Sequence, residues 1–239
     1  MPFQAKNGAL NRQVVAVMSR LPLFLIGLIG CASIRPLPAA SSPPMTSLIV
    51  QAGAPVLRKR ATEVEPQRIQ TPEFQKLIET MISTMRAAPG VGLAAPQIGI
   101  PLRVIVLEDR EELMSKLAPD ERRERERVAF KTRVFINPTL GVVGGEHAMF
   151  FEGCLSVNGY VGLVERSLEV EVSGLDEHAT LQTWRVRGWP ARILQHEIDH
   201  IDGALYIDRM KTRSFTAASH AKELYGGKSI AEIRKRLGL

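Results

Sequence analysis

Apolar residues recur along this chain in patterns regular enough to name elements. Phe74, Leu77, Ile78, Met81, Ile82 and Met85 fall three or four apart, the spacing of one helix face. Thr71-Pro72-Glu73 ahead of them reads as a helix start, with Thr71 as cap and Pro72 in the first turn. Arg103–Leu107 is a short apolar run of strand type, and Phe135–Pro138 ends another. In Val164–Val172, Val164, Leu168, Val170 and Val172 face one way, and Glu165, Ser167, Glu169 and Glu171 face the other. That alternation predicts one half-buried strand, with Arg166 interrupting its apolar side and paired inside. Gln182–Val186 predicts a further strand leading into a helix bounded by Pro190 and Gly203. Elsewhere the pattern is weaker. Ser47–Val50 reads as a short strand, followed by a turn-rich basic stretch to Ala61, and Glu108–Arg127 as a solvated helical excursion dense in both charge signs. Ser229-Ile-Ala-Glu232 followed by Ile233 and Leu237 predicts a capped terminal helix.

Residues 1–44 differ from the rest. They carry Lys6, Arg12, Arg20 and Arg35 and no acid, with a continuous apolar run at Leu21–Gly30. The run is shorter than the ~20 residues of a membrane span. It fits an organelle transit segment, an export signal ending at Leu28-Ile-Gly-Cys31, or a start codon placed upstream of Met45. In each case the catalytic domain is expected over residues 45–239. There, 27 basic residues face 25 acidic ones, interleaved, which argues against direct nucleic-acid readout despite a formal charge of +6. Hydrophobic content of 45% and charged content of 23% fit a globular fold. The two cysteines, Cys31 and Cys154, give no disulfide framework.

Chemistry concentrates at Gln195-His-Glu-Ile-Asp-His200. Residues four apart share a helix face, so His196 and His200 can hold one metal ion, with Glu197 beside them as a candidate general base. Leu194, Ile198 and Ile201 form an apolar stripe; Ile193, His196, Glu197 and His200 adjoin it; Arg192, Gln195, Asp199 and Asp202 make a narrow polar side. The third ligand decides the class. Tyr206 stands where a metzincin protease would place its last histidine. Glu223 lies at the distance of a thermolysin-like ligand. Cys154, in the bend Phe150-Phe-Glu-Gly-Cys-Leu-Ser156, is the other option, since a thiolate binds divalent metals strongly. A third unusual stretch, Gly90-Val-Gly-Leu-Ala-Ala-Pro-Gln97-Ile-Gly99, allows a tight backbone path past a ligand but matches neither a P-loop nor a dinucleotide fingerprint.

Taken together, Gly90–Gln97, Glu152–Ser156 and Gln195–His200 resemble the three signature motifs of the peptide deformylases, in order and at familiar separations. The resemblance covers roughly residues 47–215 and is nearest to the subgroup of plant organelles, mitochondria and some bacteria. It implies an α+β fold with antiparallel strands packed around a central metal-binding helix. It also implies a hydrolase that removes the formyl group from the N-terminal methionine of nascent proteins. Cys154, His196 and His200 would hold Fe²⁺, with Zn²⁺, Ni²⁺ or Co²⁺ as substitutes. Glu197 would be the general base, while the Gln97 side chain and the Leu155 backbone N–H would be oxyanion donors. Gly90, Val91 and Gly92 would pair with the peptide backbone, and Asp199 would be a supporting residue. The implied partners are formyl-Met N-termini, with the ribosome exit region as a candidate site of encounter. The implied compartment is the cytoplasm of a bacterium or, alternatively, an organelle matrix. A zincin-type protease using Glu223 and a non-enzymatic module are the competing readings.

Overall fold

A computed structural model describes residues 46–115 and 117–239, so the expectations for residues 1–44 lie outside it. In chain order it contains α1 (Pro66–Ile69), α2 (Pro72–Ala87), β1 (Gly92–Ala94), β2 (Val104–Asp109), α3 (Glu111–Met114), α4 (Pro119–Glu124) and β3 (Phe130–Val142). There follow β4 (His147–Cys154), β5 (Val157–Ser167), β6 (Glu169–Leu175), β7 (Leu181–Arg187), α5 (Trp189–Ile201), β8 (Thr216–Ala217), α6 (Ala218–Tyr225) and α7 (Ile230–Leu237). All strand pairings are antiparallel, in a five-stranded sheet of order β1-β2-β3-β6-β7 and a three-stranded sheet of order β4-β5-β8. The class is α+β.

The five-stranded sheet is covered on both faces, and its strand sequences show why. Every residue of β2 is buried, so Val-Ile-Val-Leu is apolar without alternation. Val104 and Val106 pack with Val134 and Ile136 against Phe74, Ile78, Met81 and Met85 of α2. Ile105, Leu107 and Phe135 point the other way, joining Val170 and Val172 against Ala191, Ile193, Leu194 and Ile201 of α5. Helix α2 starts as its sequence predicts, with the Thr71 hydroxyl accepting from the Phe74 N–H. Helix α5 ends before Gly203, whose φ of 83° suits a residue without a Cβ. A smaller core of Met149, Leu163 and Ile233 seats α7, capped by Ser229 and Glu232 as expected.

Several expectations are corrected. Ser47–Val50 is not a strand; its backbone is used singly, Val50 N–H donating to the Gln97 carbonyl at 2.8 Å. Strand β3 continues past Pro138 to Val142 because the register shifts between Ile136 and Thr139, with Asn137 at φ 51°. A bulge is where a sheet tolerates proline. Val164–Val172 is two strands: the chain leaves one sheet at Ser167 and enters the other at Glu169, and at that junction the alternation lapses, with Ser167 buried and Leu168 half-buried. Periodicity reports which face is buried, not which sheet the strand joins.

The charged excursion is only partly solvated. Glu108 and Asp109 finish β2 in the interior, and Asp109, with no exposed surface, accepts a two-pronged contact from Arg127 at 2.7 and 2.9 Å. Arg125 lies 4.9 Å from the Trp189 ring centroid. Mixed charge signs therefore conceal one buried pair. Removing one partner of such a pair leaves an uncompensated interior charge, so Arg127→Ala is expected to cost about 3–5 kcal/mol in urea unfolding. Adding Asp109→Asn to that variant should recover part of the loss. Unchanged stability in Arg127→Ala would show that the pair carries nothing.

Candidate active site

Three chain segments form the walls of a cavity of about 330 Å³, whose lining also includes Tyr160 and Val161 of β5 and Ala218 of α6. The segment Gly90–Gly92 and Gln97 form one wall. The end of β4, with Glu152, Gly153, Cys154 and then Leu155, forms a second. The first two turns of α5, with Trp189, Ile193, His196 and Glu197, form the third. Ligand atoms of Cys154, His196 and His200 lie within 4.8 Å of one another. The Cys154 Sγ stands 3.3 Å from His200 Nε2, and the Ser156 N–H points at the same sulfur at 3.4 Å. Helical spacing brings the two imidazoles together; the register shift between Gly153 and Cys154 turns the thiol toward them.

The donor set fits a divalent transition metal: one soft thiolate and two imidazoles, with no fourth protein ligand among the described residues. His196 Nδ1 is taken by Glu152 Oε2 at 2.9 Å, which leaves Nε2 as the nitrogen that could bind a metal. Glu223, the alternative third ligand, is exposed on α6 and does not join the cluster.

Glu197 is 4% exposed, and its Oε2 has no hydrogen-bond partner among the described residues. Burial pushes its carboxyl up to about 7, the range a general base needs. Gly92 explains how it fits: a Cβ there would fall inside the Glu197 carboxylate. The Gln97 side chain is fixed at both ends. Its Oε1 accepts from the Ala94 N–H at 2.9 Å, so the amide nitrogen is turned toward Ser156 Oγ at 3.3 Å and Cys154 Sγ at 3.6 Å.

Much of the polar side of the motif helix is not turned to solvent; Asp202, at its end, is exposed. Arg192 and Asp199 are 4% and 5% exposed and face the β4–β5 hairpin. Arg192 donates to Glu152 at 2.6 Å and to the carbonyls of Val164 and Ala148. Arg166 grips Glu152 at 3.0 and 2.9 Å and reaches Asp199 at 2.6 Å. Burial alone would push the Glu152 carboxyl up, but the His196 and Arg166 contacts hold it well below the usual range. Sequence reasoning anticipated a partner for Arg166 but not that the partner was Glu152. The available signals were a lone arginine on an apolar strand face and a lone glutamate inside a motif.

The polypeptide deformylase family model matches residues 46–215. The chain is 52% identical over 167 residues to peptide deformylase 1A, chloroplastic, of Solanum lycopersicum, covering 70% of this chain and 60% of that protein. It is 43% identical to the mitochondrial peptide deformylase of Homo sapiens, covering 72% and 71%. The chain thus spans less than two thirds of the plant relative's length. A Met-Ala-Ser-bound crystal structure of a class I type b peptide deformylase from Acinetobacter baumannii superposes with a TM-score of 0.63 at 30% identity. It covers 70% of this chain and all of that one.

Two substitutions test the site's construction. Gly92→Ala should displace Glu197 and cost about 1–3 kcal/mol by overpacking, read in urea unfolding; a neutral result would show that Glu197 has room to move. Cys154→Ser should lower the bound metal per chain sharply in elemental analysis. Unchanged metal content would exclude the thiolate as a ligand.

Proposed function

This chain belongs to the peptide deformylase family, and on that premise we propose that it hydrolyses the N-terminal formyl group of formyl-methionyl polypeptides, releasing formate and a free amine. One observation carries the reading. A Cys-His-His cluster, a buried carboxylate and a fixed amide converge on a cavity lined by residues from two free sheet edges, since β1 and β4 are each outermost in their sheets.

An extended peptide can add as a strand along such edges, with Gly90, Val91 and Gly92 supplying backbone groups. The apolar wall of Val91, Leu155, Trp189 and Ile193 receives the methionine side chain. Cys154, His196 and His200 would hold a divalent metal, which would supply the Lewis acidity that makes water a competent nucleophile near neutral pH. Glu197 takes the proton from the attacking water and delivers it to the amine nitrogen as the C–N bond breaks. The Gln97 amide and the Leu155 backbone N–H donate to the formyl oxygen as it gains charge, each worth about 3 kcal/mol.

The working ion is Fe²⁺ in this reading, on family resemblance; intrinsic affinity favours Zn²⁺, which with Ni²⁺ or Co²⁺ can substitute. Residues 45–239 form the catalytic part. The substrate exists wherever translation starts with formylmethionine, which supports a bacterial cytoplasm or, alternatively, an organelle matrix. Because that substrate is a nascent chain, the ribosome exit region is the natural place of encounter. Among the described residues no helix is long and apolar enough to cross a membrane.

Fe²⁺-loaded protein, kept free of oxygen, should release formate from formyl-Met-Ala-Ser and lose that activity on chelation. Glu197→Gln should retain the metal and lose roughly 10²-fold or more in turnover. Cleavage of an internal peptide bond without formate would move the protein to the zincin class. Full turnover in Glu197→Gln would remove that residue as the base.

A further inference from the structure

Two buried carboxylates behind the metal cluster, Glu152 and Asp199, are tied to each other and to the surface through arginines. Glu152 holds His196 Nδ1 and is itself held by Arg166 through Nε and one terminal nitrogen. The other terminal nitrogen of Arg166 donates to Asp199 Oδ2 at 2.6 Å. Asp199 sits three residues after His196 on α5, with its side chain 8% exposed. Both of its oxygens are also gripped by Arg209, Nε at 2.7 Å and Nη2 at 2.6 Å. Arg209 lies beyond the three motifs and is half exposed, its side chain at 52%.

We propose that Arg209 is a positioning residue for the metal centre, acting through Asp199 and Arg166 on the Glu152–His196 contact. The inference rests on Cys154, His196 and His200 holding a metal, as proposed above.

Competition for one guanidinium is the reason. Arg166 stands between two buried carboxylates, and a planar fork gives its best geometry to one of them. With Arg209 on both oxygens of Asp199, Arg166 can keep its two-pronged grip on Glu152. Without Arg209, Asp199 has Arg166 as its sole charged partner among the described residues. Arg166 is then drawn toward Asp199, and the orientation of Glu152, hence of the His196 ring, loosens. Partners of metal-bound histidines tune affinity in this way.

The segment that carries Arg209 is itself anchored. Tyr206 is fully buried, its hydroxyl donating to the Tyr160 carbonyl at 3.0 Å. Asp208 accepts from the Leu205 N–H and pairs with Arg58. Met210 packs so closely on Gly162 that a Cβ there would meet its sulfur at 2.7 Å. The Lys211 N–H donates to the Leu163 carbonyl at 2.8 Å. Arg209 is therefore delivered to Asp199 by a fixed backbone.

The test uses the full chain and Co²⁺, with affinity measured by chelator competition and the thiolate–metal environment read from the absorption bands. Arg209→Met should weaken Co²⁺ binding roughly tenfold and shift those bands. Arg209→Lys, which keeps the charge but not the fork, should fall between it and the parent. In the double variant with Asp199→Asn, the two effects should be non-additive, since Arg209 acts through Asp199. Unchanged affinity and bands in Arg209→Met, or additive losses in the double variant, would overturn the proposal. If Arg209→Met fails to fold, Arg209→Lys carries the same comparison. Absence of formate release by the parent would count against the function while leaving the Co²⁺ comparison valid.

Discussion

An ionised carboxylate buried in the protein interior is the constraint around which the site is built. Glu152 is 5% exposed and would be costly to bury as an anion by itself. Three cationic or polar groups meet it: Arg166 from β5, Arg192 from α5, and the His196 imidazole. One residue at the end of β4 is thereby bonded to the neighbouring strand and to the motif helix. Because the same residue orients His196, the ion network that joins hairpin to helix also sets this candidate metal ligand. Replacing the network by apolar packing need not destabilise the fold, but it would leave the imidazole free to rotate.

The two sheets divide the labour. The five-stranded sheet, packed between α2 and α5, supplies rigidity through an apolar core on each face. The three-stranded sheet supplies Cys154 and the polar groups. Helix α5 lies between them, its apolar stripe on one sheet and its polar side on the hairpin of the other. Both sheets leave an edge at the cavity, a position from which a peptide can be bound by main-chain hydrogen bonds without regard to most of its side chains. The proposed function, in which many different nascent chains are substrates, needs that tolerance.

Much of this was legible in the sequence, and the misses share causes. The helix over Pro72–Ala87 was legible because cap, proline and six apolar positions agree. The cluster of Cys154, His196 and His200 was legible as candidates because each sits in a dense motif. The break at Leu168 was not, because residue types alternate through it even though burial does not follow them at Ser167 and Leu168. The extent of β3 was missed because Pro138 suggests a stop, and only the bulge at Asn137 removes it. Arg192 and Asp199 were legible as a narrow polar side of the helix, but their partners were not, because a projection does not show what packs opposite. The role of Glu152 needed three dimensions, since its partners lie 14, 40 and 44 residues away.

The most direct test of the account is X-ray absorption at the metal edge of the full chain loaded with one Zn²⁺. The account predicts one sulfur scatterer near ~2.3 Å and two imidazole nitrogens near ~2.0–2.1 Å. A first shell of nitrogen and oxygen alone, with no sulfur, would contradict it, because the metal would then not be bound by Cys154.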